Sequence, residues 1–374
     1  MDKVLIHSQT FYVDFLGKSP SAISWIGAVQ IFLLFFVGTF SGRATDYGLF
    51  KLTYGVGAFL QTLGVFMTSL STKYWQLFLA QGVCIGLGDG LVFCPAVSLL
   101  STYFTKKRGL AIAIAASGTA TGGLIYPAIA EKLLPTAGFA WTVRTQGFVM
   151  LAIHLVAFTF IKTRLPPRKA GALVEWSAFK DTSYSLFAVG MFLAFWGLYF
   201  AFYYIGSFGR NVIGISQQDS INLLLIINGV GLFGRLIPNY LSDRYFGPLN
   251  SIIPFVFCAA LLLYCWAAVT SHAGLIAFAV VYGFFASGIQ SLFPATLSSL
   301  TKDLRRVGVR IGMTFTVVSF ATLTGPPLAG ALVERNGGGY LYAQMFAGTT
   351  MMCGAVVLVL ARLAETGKKV TVRI

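Results

Sequence analysis

The chain is expected to be an all-α polytopic membrane protein, and three observations predict it. Of its 374 residues, 56% are apolar and only 10% charged, less than half of the roughly 25% charge of soluble domains. Apolar runs of about 20 residues, the length of one bilayer crossing, recur along the whole chain. The bases collect in the gaps between these runs and favour alternate gaps. A soluble enzyme, a disordered chain and a secreted disulfide scaffold are thereby excluded. The five cysteines form no CxxC or CxxH arrangement, and no acid–histidine or metal-ligand set stands out. No catalytic residue, metal or cofactor is therefore expected. An excess of 27 Lys and Arg over 12 Asp and Glu would suggest nucleic acid on a soluble fold. Spread between apolar runs it sets orientation instead, and no nucleic-acid partner is expected. Transport is the default function of such a chain.

Apolar runs begin near Ala22, Leu52, Trp75, Gly109, Phe139, Ser185, Ser220, Ile252, Gly274, Gly308 and Tyr340, and the last ends near Leu363. Eleven crossings are predicted. Internal glycines and prolines, such as Gly86, Gly88, Gly90 and Pro95, do not argue against helix, because neighbouring helices satisfy the freed backbone groups. One set of alternate connections, with the C-terminal tail, holds twenty bases: Arg43 and Lys51; Lys106, Lys107 and Arg108; Lys162, Arg164, Arg168, Lys169 and Lys180; Arg235 and Arg244; Lys302, Arg305, Arg306 and Arg310; Arg362, Lys368, Lys369 and Arg373. The opposite set holds five: Lys18, Lys73, Lys132, Arg210 and Arg335. The richer side is assigned to the cytoplasm. Four segments follow: a five-span bundle over 1–160, a cytoplasmic connection over 161–184, a six-span bundle over 185–363 and a tail over 364–374. Trp176 and Phe179, in the connection, suit the bilayer surface.

The two bundles repeat each other. Gly42-Arg43-Ala44-Thr45-Asp46-Tyr47-Gly48 closes the first span, and Asn239 to Gly247, containing Asp243 and Arg244, closes the seventh. In each an aspartate just past the helix end precedes an aromatic and a glycine. Tyr103 to Gly109, leading to Tyr126-Pro127, has its partner in Leu300 to Arg306, leading to Pro326-Pro327. A duplication implies equal halves, so a further helix is expected ahead of Met1; Phe11 to Leu16 is too short to cross.

These residues resemble the major facilitator superfamily, and within it the fungal, monocarboxylate-porter-like permeases. Gly42, Asp46, Gly48 and Lys51 fit the superfamily's loop signature, with Tyr47 where a base usually stands. Ser19 to Gly27, Gly86-x-Gly-x-Gly90 with Pro95, and Gly234 to Asn239 with Asp243 and Arg244 resemble fungal members. The resemblance implies a fold of two pseudo-repeated bundles, with twelve helices in the family, of which this chain lacks most of the first. It also implies a monomeric permease in the plasma membrane or an internal membrane. The cargo would be a small organic solute, an organic acid or a secondary metabolite exported from a biosynthetic pathway. Uptake of a monocarboxylate or vitamin, and a membrane sensor without flux, stay open as alternatives. Animal monocarboxylate carriers place an aspartate four residues before the arginine that Arg235 matches; Gly231 stands there, so lactate-type coupling does not carry over.

Individual residues sharpen the expectation. Asp46 and Asp243 suit a gating role in which each carboxylate pairs with a base of an adjacent loop and must let go as the bundles rock between states. The bland alternative is a static helix-end contact. Arg235, a charge inside a span, either contacts an anion or snorkels to the surface. Asp89, deep in Gly86–Gly90, is either a proton carrier or an acid satisfied by its neighbours. His154 titrates in the useful range, though a lone core histidine is usually structural. Asn228, Tyr199 and Tyr203 are polar groups at helical depth, and the aromatic run Phe195 to Tyr204 suits a flat wall for a conjugated solute. Proton coupling rests on Asp89 and the resemblance. No Walker sequence is present, so direct ATP drive is not expected.

Overall fold

A computed structural model describes residues 20–104, 107–163, 174–301, 303 and 306–367, and every regular element among them is helical. A bilayer offers the backbone no hydrogen-bond partners, so apolar runs satisfy themselves as helices. The elements are α1 (Pro20–Phe36), α2 (Gly38–Asp46), α3 (Phe50–Leu70), α4 (Tyr74–Leu77), α5 (Gly86–Tyr103), α6 (Arg108–Phe160), α7 (Thr182–Phe208), α8 (Gln217–Leu241), α9 (Pro248–Trp266), α10 (His272–Leu300), α11 (Val307–Arg335) and α12 (Leu341–Thr366). α1 runs into α2 through Val37, and α4 reaches α5 through a π-helical stretch, Phe78–Ile85.

Nine helical stretches are long and apolar enough to cross a membrane, and the 21-residue α3 is a further helix of crossing length. α6 has 53 residues, about 80 Å at 1.5 Å per residue, more than twice a hydrocarbon core of about 30 Å. Gly138 breaks it with φ 72° and ψ 174°, a conformation essentially reserved for glycine. With the two halves of α6 taken apart, the described residues hold the eleven crossing-length helices expected, each starting within about a turn of its hydropathy onset. Leu52, Phe59 and Phe160 are 62%, 64% and 79% exposed, apolar surface that suits lipid and not water.

The chain divides into two compact units. Unit 1 comprises Met1–Tyr103, Gly122–Glu175 and Asp303–Leu323; unit 2 comprises Phe104–Thr121, Trp176–Lys302 and Thr324–Ile374. The units follow the two repeats except for a reciprocal exchange of the first turns of α6 and α11. Small residues let helices approach within each unit, as bilayer packing requires. In unit 1 a Cβ on Gly57 would lie 2.9 Å from the Gly88 carbonyl oxygen; in unit 2 one on Gly283 would lie 2.8 Å from that of Ile227. Trp266 centres an aromatic core in unit 2, stacked 4.8 Å from Phe278 and tilted against Phe200 at 5.1 Å.

Several helices cap their own starts: Asp181 accepts from Ser183 N–H at 3.1 Å before α7, and Ser271 Oγ from Gly274 N–H at 3.1 Å before α10. α6 and α11 take their acceptors from far along the chain. The motif aspartates also differ from expectation in place. Asp46 is the last residue of α2, and Asp243 lies in a π-helical turn, Ser242–Phe246, so both belong to the helix end and not to the loop beyond. Lys18, Lys106, Arg164, Arg168, Lys169, Lys302, Arg305 and the basic tail beyond 367, like the segment Phe11 to Leu16, lie outside the described residues.

Candidate functional site

In unit 1, α2 presents Gly38 and Gly42 one turn apart, and α11 presents Gly308 and Gly312. A Cβ on Gly38 would lie 3.4 Å from Gly312 Cα, and one on Gly42 would collide with the Gly308 carbonyl. Bare backbones therefore cross, and Asp46, one turn beyond Gly42, reaches the start of α11. Its Oδ1 accepts from Gly308 N–H at 3.1 Å and its Oδ2 from Val309 N–H at 3.0 Å. These are first-turn donors that the helix itself leaves free, and the negative charge faces the positive end of the helix dipole. Higher up, Thr316 Oγ1 donates to the Phe36 carbonyl at 2.9 Å. Gly48, at φ 94°, turns the chain into α3.

Unit 2 repeats the arrangement. Asp243 Oδ1 accepts from Gly109 N–H at 3.0 Å and Oδ2 from Leu110 N–H at 2.8 Å. A Cβ on Gly109 would lie 2.8 Å from Asp243 Oδ1, so glycine is what admits the carboxylate. Gly247, at φ 84°, then turns the chain into α9 as Gly48 does into α3. Each clamp thus joins a helix end of one repeat to a helix start of the other, across 262 and 134 residues of sequence. Among the described residues, the donors found for both carboxylates are helix-start N–H groups. A helix start supplies two aligned donors that cost no side-chain entropy, whereas a long base must be ordered first. The motif's own bases are elsewhere: Lys51 is exposed, and Arg244 donates to Tyr240 Oη at 2.7 Å and covers the Tyr245 ring at 5.2 Å.

The remaining candidates separate. Arg235 is 2% exposed and so does not snorkel; it donates to the Gly231 carbonyl at 3.0 Å and to Gln290 Oε1 at 3.1 Å. Asn228, two turns earlier on the same face of α8, is buried, and its Oδ1 has no hydrogen-bond partner; the Ser287 hydroxyl, against Gly231, has none either. These groups form a polar strip between α8 and α10. Asp89, in unit 1, is 3% exposed and takes Gln30 Nε2 at 2.9 Å and Gln61 Nε2 at 2.6 Å. His154 is held by Tyr54 Oη at 3.1 Å. Tyr199 and Tyr203 are buried, and most of their aromatic run packs within unit 2; Phe195 lies 5.1 Å from Phe293 and Phe202 6.2 Å from Tyr282.

Sequence reasoning missed the donors at Gly308 and Gly109, although a glycine opening both spans was the visible signal. It also missed Glu175, whose carboxylate accepts from Arg306 Nη1 and stands 3.6 Å from Arg310 Nε. That hydrogen bond and charge hold the Arg306 guanidinium above its ordinary range.

Comparison with known proteins identifies the family. The family model "Major Facilitator Superfamily" matches residues 6–301 and 239–373. An "MFS-type transporter" of Gibberella zeae is 49% identical over 357 residues, covering 95% of this chain and 81% of the relative. The chain belongs to the Major Facilitator Superfamily. Among its superfamily relatives is the "Aspyridones efflux protein" of Emericella nidulans, 38% identical over 353 residues, 93% of this chain and 71% of that one. The superfamily fold is seen in the fucose:proton symporter FucP of E. coli, with a TM-score of 0.71 and 16% identity over 97% of this chain and 96% of that one. It is seen again in a human organic anion transporter, with a TM-score of 0.71 and 13% identity over 96% and 89%. It is not an enzyme fold, and among the described residues no cluster of metal-ligating side chains occurs.

Proposed function

We propose that this superfamily member exports a small acidic secondary metabolite by alternating access, with the two aspartate clamps as its cytoplasmic gate. The observation that carries the reading is the repetition of the clamp. Asp46 on Gly308 and Val309, and Asp243 on Gly109 and Leu110, occupy equivalent places in the two repeats. A contact made of two neutral N–H donors and one carboxylate at a helix end is stable yet reversible. The helix-end charge contributes about 0.3–1 kcal/mol at exposed sites and up to about 2 where partly buried, a scale that a bound solute can offset. Opening both clamps would expose the interior to the cytoplasm, and closing them would complete the cycle.

Arg235 supplies the acid selectivity in this reading, because the fork of a guanidinium matches a carboxylate or enolate. Asp89 supplies the site for a coupled proton. The efflux role follows the named cargo of the Emericella nidulans relative, and the plasma membrane is the site this role requires.

The test is flux through the full chain reconstituted in vesicles, with an aspyridone as the first probe and other fungal organic acids after it. Saturable flux that falls at least tenfold in an Asp46→Asn, Asp243→Asn double variant is expected. Saturable binding with no flux for any probe would overturn the transport reading in favour of a sensor.

A further inference from the structure

The start of α11 is held on a second side. Glu175 lies in the connection between the repeats, just ahead of a 3-10 turn, Trp176–Lys180. Its carboxylate bridges Arg306 and Arg310, and its backbone N–H donates to Met313 Sδ at 3.3 Å. Arg306 also pairs with Asp303 at 3.2 Å. These contacts cover the same two turns of α11 that meet Asp46, Gly38 and Gly42. The two carboxylates divide the work: Asp46 binds the backbone of Gly308 and Val309, and Glu175 binds the side chains on either side of them.

The burial suits a contact that forms and breaks. The Glu175 side chain is 9% exposed and that of Arg310 16%, but Arg306 is 42% exposed. A pair this sheltered is screened less than one on an open surface. Because one partner keeps water, its separation does not strand a charge in a dry interior. The clamp in unit 2 is built differently. There the base beside the aspartate, Arg108, donates to the Ser298 carbonyl at 3.0 Å and to the Phe104 carbonyl at 3.2 Å, and among the described residues no carboxylate of the connection reaches it.

We propose that Glu175 is a latch: it positions the first turns of α11 for Asp46 and must let go before the unit 1 clamp can open. Glu175 is a positioning residue and touches no solute. The inference rests on the reading that the clamp opens during transport.

Cys94 is a native reporter. It is fully buried, with its Sγ 3.2 Å from where a Cβ on Gly42 would stand, behind the Gly42–Gly308 crossing. In the full chain with Cys84, Cys258, Cys265 and Cys353 replaced by serine, a membrane-impermeant maleimide applied to inside-out vesicles reads the opening of unit 1. Glu175→Gln is expected to speed labelling of Cys94 roughly tenfold, about 1.4 kcal/mol of lost latching. Asp46→Asn should speed it at least as much, while Glu175→Asp stays near the parent rate. Parent-like labelling of Glu175→Gln beside fast labelling of Asp46→Asn would sink the latch and leave the clamp standing. Parent-like labelling of both would sink the clamp itself. Equal acceleration by Gly138→Ala, a change outside both clamps, would mean general loosening and also overturn the latch. If Glu175→Gln does not insert, Arg306→Gln with Arg310→Gln removes the same contact from the other side and is judged by the same outcomes.

Discussion

Asp89 and His154 are both titratable side chains in unit 1, yet their surroundings assign them different work. Asp89 receives an amide N–H on each oxygen, from Gln30 and Gln61, while His154 meets the Tyr54 hydroxyl. In vesicles, Asp89→Asn should abolish the response of flux to an imposed proton gradient yet leave solute exchange without a gradient. His154→Gln should leave the gradient response unchanged; the reverse pattern would move coupling to the histidine. Arg235 makes a parallel prediction. Arg235→Lys keeps the charge but loses the fork that spans Gly231 and Gln290, so half-saturation for an acidic solute should rise roughly tenfold or more. At this scale the sequence told which polar residues lie at depth, but not their partners. Gln30 and Gln61 are distant in sequence from Asp89, and an apolar pattern carries no trace of which helices converge on it.

Among the elements, α6 and α11 show what hydropathy reads well and what it does not. The break at Gly138 falls where the pattern ended one crossing and began the next, since a continuous helix would be far longer than the bilayer is thick. Gly138→Ala should cost about 1–3 kcal/mol for the forbidden backbone, seen as a lower melting temperature of the purified chain with the labelling of Cys94 unchanged. Gly308 is a different kind of glycine. A methyl there would meet Asp46 Oδ1 and the Gly42 carbonyl, so Gly308→Ala should push α11 off α2 and speed Cys94 labelling at little cost in melting temperature. Unaltered labelling would show that the crossing tolerates the methyl. The aromatic run Phe195 to Tyr204 marks the limit of composition as a guide. Its richness suggested a binding wall, and three of its rings also pack on Phe293, Trp266 and Tyr282, a use that composition does not distinguish from binding.

For the whole molecule, the all-helical architecture, the helices of crossing length among the described residues and the duplicated motif were legible because they depend on length, hydropathy and short repeats. What was not legible is the exchange by which the first turns of α6 and α11 join the opposite repeat's unit. That exchange depends on glycines at both crossings and on carboxylates reaching helix starts 134 and 262 residues away. No local pattern encodes those distances. The same exchange makes the duplication mechanical, since each repeat holds a piece of the other through two backbone amides, four in all.

Those amides offer the most direct measurement: hydrogen exchange of the reconstituted full chain at Gly308, Val309, Gly109 and Leu110. The account predicts that Asp46→Asn deprotects Gly308 and Val309 alone, and that Asp243→Asn deprotects Gly109 and Leu110 alone. Unchanged protection at all four amides in both variants would contradict it.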